Sequence, residues 1–355
     1  MNFEVNKADL TTTRLVDSDP AELVSGEARL QVKRFGFSAN NITYAVFGDL
    51  MGYWSFFPTE EGWGRVPVWG FAEVLDANGT GLADGELLFG YLPMGSELVV
   101  TPAEVGDKGF SDSSAHRSHL SPMYNGYVRC AADPAYDSAT EEQQMLFWPL
   151  FMTDFVLDDW LHDNEWFDAE TIVLSSASSK TAFGLAHLLS KRSDRPEIVG
   201  LTSPGNRDFV RGLGSYDRVL GYGDIGQLAG ETPAVYVDMA GDAAVRLAVH
   251  TNMVGLTASV QVGGTHWTEL AGDEPLPGPA PALFFAPDQI IKRRQDWGPG
   301  GVEQRFAEAW TGFLPTMTNA VAMVERSGIE AAAETYLEVL EGRADPRHAF
   351  VLSMN

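Results

Sequence analysis

The sequence predicts an α/β fold organised around a doubly wound parallel sheet, and three observations carry the prediction. Thr171-Ile172-Val173-Leu174 is a short, β-branched, largely apolar run, the pattern of a strand buried on both faces. Five small residues, Ser175 to Ser179, then turn into an apolar helix over Thr181 to Leu189. Further strand-like runs follow at Ile198 to Leu201, Val219 to Leu220 and Val235 to Asp238. Such alternation indicates parallel strands joined by helical crossovers, with a ligand expected at the carboxyl ends of the strands.

Taken in order, residues 1–125 alternate short β-like runs with Gly/Asp turns, as in Glu27 to Gly36, and read as a β-rich region. Glu141 to His162 reads as a helix rich in Leu, Phe, Met and Trp, whose aromatic residues belong to core packing. At Ser175 to Ser179, strand, small-residue turn and helix bring unpaired backbone N–H groups and the positive end of a helix dipole to one point, which suits a phosphate. The second strand runs into Thr202 and Ser203, then Asn206 and Arg207. A site for an unphosphorylated ribose needs an acidic residue there, whereas hydroxyls followed by a guanidinium fit a 2′-phosphate. The competing reading is a polar loop with Arg207 as a solvated charge. The Pro-rich run from Glu274 to Pro287 reads as a surface loop, open as lid, oligomer contact or inert insertion. Ala331 to Glu341 is an amphipathic helix, and Ala349 to Leu352 a closing strand.

From Phe167 to Tyr222 the chain resembles the cofactor domain of the medium-chain dehydrogenase/reductases, closest to their zinc-free quinone-reductase and enoyl-reductase branch. The family's Gly-x-x-Gly-x-x-Gly falls on Ser176, Ser179 and Ala182, so all three glycines are replaced. Small side chains still admit close approach, but serine is disfavoured at any positive φ that glycine adopts freely. Ser178, Lys180 and Thr181 add hydroxyls and a cation that could hold pyrophosphate alongside the amides. Leu213 to Tyr222 resembles the family's stretch of leucine, glycine, a small residue, strand and tyrosine, which implies Tyr222 near the 2′-phosphate. The implied cofactor is NADP(H). The pattern as a whole, with Ser-Ala-Ser-Ser-Lys-Thr and Asn-Asn-Ile-Thr-Tyr, also resembles a divergent branch of this superfamily of unknown function.

The resemblance implies a Rossmann-type sheet over residues 131–289 and a partly open, GroES-like β-barrel catalytic domain over 1–130 and 290–355. Gly85 to Tyr91 and Ser121 to Val128 resemble strand and crossing segments of that barrel, and Arg343 and Arg347 fall on basic positions of the family's ending. Where zinc-dependent members carry a histidine ligand this chain has Phe71, and the His116/His119 pair lacks matching carboxylates or thiols, so no zinc is expected. Without a metal, a hydrogen-bond donor must polarise the substrate oxygen. The resemblance places Tyr53 at the acid tyrosine of enoyl reductases, and Asn41 and Tyr44 near the nicotinamide. Against this stands simple packing of both tyrosines with Trp54, Phe56, Phe57, Trp63 and Trp69.

Composition narrows the partners. The 355 residues carry 24 Lys plus Arg against 49 Asp plus Glu, a net charge of −25, which disfavours nucleic acid and anionic membranes. A lone cysteine, Cys130, excludes an intramolecular disulfide and reads as a small buried hydrophobe. No signal peptide or membrane-spanning run is apparent, so a cytoplasmic enzyme acting on a small molecule, and a possible homodimer, are expected. Two other functions remain. Ser179-Lys180-Thr181 is reminiscent of a phosphate-binding NTPase loop, although its glycines are missing. A nucleotide-sensing or structural protein that has kept the fold and lost catalysis is the stronger rival. No Gly-x-Ser-x-Gly elbow supports a hydrolase at this turn.

Overall fold

The computed structural model describes residues 1–17, 22–133, 136–262 and 275–354. They divide into two compact units, one of Met1–Leu146 with Met323–Asn355 and one of Phe147–Ala322. This division falls later in the chain at both junctions than the boundaries read from sequence. The first junction lies inside the 23-residue helix Glu141–Asp163, where no change of composition marks it. At the second, the helices Ala286–Trp297 and Gly301–Ala320 stay with the second unit because Phe306, Trp310 and Phe313 pack on Phe151.

The second unit holds a six-stranded parallel sheet: β1 (Thr171–Leu174), β2 (Glu197–Thr202), β3 (Arg218–Gly221), β4 (Ala234–Asp238), β5 (Leu256–Gln261) and β6 (Ala282–Leu283). Their spatial order is 3-2-1-4-5-6. Strand order reverses between β1 and β4, where a doubly wound sheet opens a crevice for its ligand. Strand alternation explains why helices cover both faces. Ile172, Leu174, Ile198 and Val235 pack with Leu157, Leu185 and Leu189, whereas Val173, Val199 and Tyr236 pack with Val245 and Val249. The Pro-rich run is more than a loop: it contributes the edge strand β6 and enters the Ala286–Trp297 helix. A two-residue strand is too short to carry a period, so its sequence does not announce it. Glu274 lies outside the described residues.

In the first unit, eight strands follow one another in the order Ala322–Ser327, His348–Ser353, Ala28–Phe37, Pro67–Asp76, Leu87–Pro93, Gly126–Arg129, Gly109–Asp112 and Pro102–Gly106. Glu97–Val100 adds a ninth by pairing with Ala28–Phe37. A small sheet of Asp9–Val16, Asn2–Asn6 and Trp63–Gly64 meets it where Asn2 bridges Gly95 and the Phe3 N–H donates to the Met94 carbonyl at 2.9 Å. The short helix Ala39–Val46 begins at a reciprocal capping box: the Ser38 side chain accepts a backbone N–H while Asn41 Oδ1 accepts from the Ser38 N–H at 2.8 Å. Among the described residues no helix is long and apolar enough to cross a membrane.

Candidate functional site

The turn after β1 is where the replaced glycines fall. Ser176 takes φ = 49°, the left-handed conformation that a glycine would adopt without cost. Its backbone N–H donates to the Tyr222 hydroxyl at 3.1 Å, so a side chain from beyond β3 holds the turn in place. Ala177 N–H donates to the Leu201 carbonyl at 2.9 Å, tying the turn to β2 as well. Tyr216 completes the clamp, its hydroxyl 3.1 Å from the carbonyls of both Ala177 and Ala182.

Ser179 caps the helix Lys180–Lys191, its hydroxyl accepting from Ala182 N–H at 3.2 Å. Lys180 and Thr181 are the first two helical residues, both half-buried. Helix geometry gives the Thr181 amide no carbonyl behind it, so dipole and donor converge on the crevice at the end of β1. Ser178 Oγ accepts from Asn206 Nδ2 at 3.2 Å and lies 3.4 Å from Thr202 Oγ1, joining the turn to the end of β2. Ser203 stands at the start of the Pro204–Asn206 turn, its carbonyl accepting the Asn206 N–H at 3.1 Å. The ten cofactor-site residues named from sequence therefore fall on three adjacent strand ends. Burial pushes the Tyr222 phenol up to about 12, so it is protonated at neutral pH.

Arg207 is paired and only partly exposed. Its guanidinium pairs with Asp224, two residues beyond Tyr222, with each side chain about one-third exposed. The approach depends on Gly221, since a Cβ there would meet the Arg207 guanidinium head-on. Behind the turn lies a polar group that the sequence reading passed over. Asp238, the last residue of β4, accepts from Ser175 Oγ at 2.8 Å and from the amides of Ala240 and Gly241. Its other oxygen accepts from Arg246 Nε at 2.8 Å; Nη2 lies equally close, off the donating direction. Asp238 and Arg246 are buried. The available signal was a carboxylate ending an otherwise apolar strand, which needs a buried partner.

The three catalytic candidates lie in the first unit. Tyr44, Tyr53, Phe56, Phe57 and Tyr91 form a buried cluster, joined by half-buried Trp69 and Tyr124. Trp54 and Trp63 stand outside it: Trp54 fills the space that Gly48 and Gly64 leave open, and Arg14 covers the Trp63 ring at 4.0 Å. The Tyr44 and Tyr53 rings are 4.7 Å apart, and the Tyr53 hydroxyl lies 3.3 Å from that of Tyr124. Trp69 Nε1 donates to Tyr44 Oη at 3.3 Å. Burial raises the phenols of Tyr44, Tyr53 and Tyr124 above their ordinary value. Each is a hydrogen-bond donor at neutral pH rather than a ready proton source. Asn41 is engaged at both amide atoms, with Oδ1 in the capping box and Nδ2 donating to the Pro67 carbonyl at 3.0 Å.

Beneath the cluster lies Arg117, fully buried and 3.2 Å from the Asp112 carboxylate, with the Phe56 and Phe57 rings at 5.6 and 5.0 Å. Tyr91, Tyr124 and Arg117 come from segments whose separation in sequence hid their convergence. Cys130 is buried, and burial pushes its thiol up to about 12, the behaviour of a packed hydrophobe. His116 Nε2 lies 3.2 Å from the Phe56 carbonyl. Among the described residues no group of three or more His, Cys, Asp or Glu side chains is arranged to hold a metal ion.

Solved structures with this architecture include CurA from Vibrio vulnificus in complex with NADPH, 13% identical, with a TM-score of 0.59 over 97% of this chain and 94% of that one. YhdH from E. coli K-12 with bound NADPH is 15% identical, with a TM-score of 0.54 over 97% and 96%. A glucose dehydrogenase from Haloferax mediterranei, in complex with NADP, zinc and gluconolactone, is 12% identical, with a TM-score of 0.58 over 100% and 99%. At such identities the likeness establishes the fold, a Rossmann-type sheet with a GroES-like partly open barrel, as in the medium-chain dehydrogenase/reductases. No curated protein matches the sequence. The family model described as "Protein of unknown function (DUF2855)" matches residues 35–345, and the chain belongs to that family.

Proposed function

We propose that the chain is an NADPH-dependent oxidoreductase that reduces a small apolar enone, quinone or enoyl-type substrate without zinc. The observation that carries this reading is the turn at Ser176, bent into the left-handed conformation and aimed with the Ser179-capped helix into the crevice where strand order reverses. The residues fit the group. Ser176, Ser178, Ser179, Lys180 and Thr181 would hold the pyrophosphate, while Thr202, Ser203, Asn206, Arg207 and Tyr222 would line the adenine-ribose end. When bound, NADPH supplies the hydride. Tyr53 would hold the substrate oxygen through its protonated hydroxyl and stabilise negative charge as it develops there, oriented by Tyr124. Tyr44 would support Tyr53 by ring contact, and Asn41 would fix the helix that carries Tyr44.

The rival is a protein that binds the dinucleotide without turning it over, and one observation favours it: the Asn41 amide and the Tyr44 hydroxyl already have partners within the unit. Titration with NADPH, followed by nicotinamide fluorescence, tests the binding half of the proposal. Micromolar binding weakened by Lys180→Ala is expected, and absence of any NADPH signal rejects both readings. Incubating the NADPH complex with enones and quinones then separates them. Oxidation slowed about a hundredfold by Tyr53→Phe supports the enzyme. NADPH that stays reduced with every acceptor supports the binding protein.

A further inference from the structure

We propose that Asp224 is a specificity-determining residue that opens the adenine-ribose end to both nicotinamide dinucleotides, the 2′-phosphorylated form and the free 2′-hydroxyl form. The inference rests on the nucleotide-binding reading above and goes beyond it. A guanidinium after β2 is the group that selects a 2′-phosphate, and an acid in that neighbourhood is the group that selects a 2′-hydroxyl. This chain carries both, and the fold brings them together. Arg207 lies just past the end of β2, and Asp224 just past the end of β3. The two strands are paired in parallel with Thr202 opposite Gly221. Gly221, lacking a Cβ, lets the guanidinium lie across the strand end and reach the Asp224 carboxylate.

The pair is built to exchange partners. Each side chain is about one-third exposed, so solvent screens their attraction and separating them is inexpensive. Arg207 Nε–H is buried and has no acceptor among the described residues, so the present pairing leaves the guanidinium incompletely satisfied. A 2′-phosphate would displace the carboxylate and take the guanidinium, while Asp224, released nearby, offsets part of the gain by like-charge repulsion. A 2′-hydroxyl would donate to the Asp224 carboxylate with the ion pair intact. The contrast is with an unopposed arginine, which rewards the phosphate alone.

Wild type, Asp224→Asn and Arg207→Ala are each titrated with NADPH and NADH by nicotinamide fluorescence. Adenosine 2′,5′-bisphosphate and adenosine 5′-monophosphate serve as calorimetric probes that need no nicotinamide and no turnover. Melting curves establish that the variants are folded. Expected for wild type are NADPH and NADH affinities within about threefold of each other, the residue of two small opposing charge effects. Asp224→Asn is expected to tighten NADPH and the bisphosphate about five- to tenfold and to leave NADH unchanged or weaker. Arg207→Ala weakens NADPH and the bisphosphate only, the two ligands that carry a 2′-phosphate. An Asp224→Asn protein whose NADPH-to-NADH ratio equals that of wild type overturns the proposal and leaves the nucleotide reading standing. Failure of wild type to bind either dinucleotide overturns both.

Discussion

The serine-rich turn of the second unit and the tyrosine cluster of the first unit are built in opposite ways. The turn uses consecutive residues, Ser175 to Thr181, whose strand, loop and helix roles follow from local pattern. The cluster draws on Tyr44, Tyr53, Tyr91 and Tyr124, each supplied by a different segment and joined mainly by ring contacts. Yet the turn is also the more dependent of the two, because Tyr222 and Tyr216 reach in from beyond β2 to hold it. A locally written site can thus need distant support, and a distributed one can be held mainly by ring packing with a few hydrogen bonds.

The most severe way to break the turn runs through the charge behind it. Asp238→Ala would strand the buried Arg246 and release Ser175, costing about 3–5 kcal/mol by denaturant unfolding. An effect under about 1 kcal/mol would mean that the pair contributes little to the support of the turn.

Acid and base provide the next contrast, again inside the second unit. Asp154 is buried against the Gly184 backbone with neither oxygen hydrogen-bonded among the described residues, and burial, then the Asp158 charge, raise its carboxyl well above the usual range. Its folded pKa exceeds its unfolded one, so its contribution is fully present below the unfolded value of 3.8 and is lost as pH rises toward the folded value. Burial, then the Lys191 charge, lower His187 to about 4, and its contribution runs the other way, lost as pH falls from 6.5 toward 4. Above about pH 4 the two contributions therefore change with pH in opposite directions. Asp154→Asn should therefore stabilise the protein at neutral pH and uncover a loss of stability on acidification below 6.5, read from melts across that range. A variant with wild-type pH dependence would show that Asp154 is ionised in the folded protein.

Two smaller changes act on the turn and on the cluster directly. Ser176→Gly removes the cost of the left-handed conformation and should stabilise the protein by about 1 kcal/mol while preserving the turn. Its NADPH affinity should hold or improve, and a weaker one would show that the serine hydroxyl itself touches the ligand. Tyr124→Phe takes from Tyr53 its hydroxyl partner at about 0.5–1.5 kcal/mol in stability. Under the enzyme reading it should lower kcat more than it raises KM, whereas a shift in KM alone would make Tyr124 a substrate contact.

The sheet was legible because β1, β2 and β4 are apolar runs between helical segments, and burial on both faces leaves that mark wherever it occurs. The edge strand β6 was not, since two exposed residues paired only on one side have no such constraint. The residues of the turn could be named from order and spacing. Asp224 could not be tied to Arg207, because the two meet through the parallel pairing of β2 and β3, a long-range fact. Asn41 shows the converse limit. The resemblance puts it near the nicotinamide, and in the structure its amide oxygen caps the helix that carries both Asn41 and Tyr44.

The left-handed serine also bears on the order in which the molecule assembles. A glycine turn is available to the chain as soon as its strand and helix form. At Ser176 the same bend is disfavoured until the Tyr222 hydroxyl, 46 residues downstream, arrives to accept its N–H. The bend after β1 is therefore held by a contact that spans the chain from β1 to beyond β3, and a chain interrupted before β3 would carry β1 and its helix without that contact.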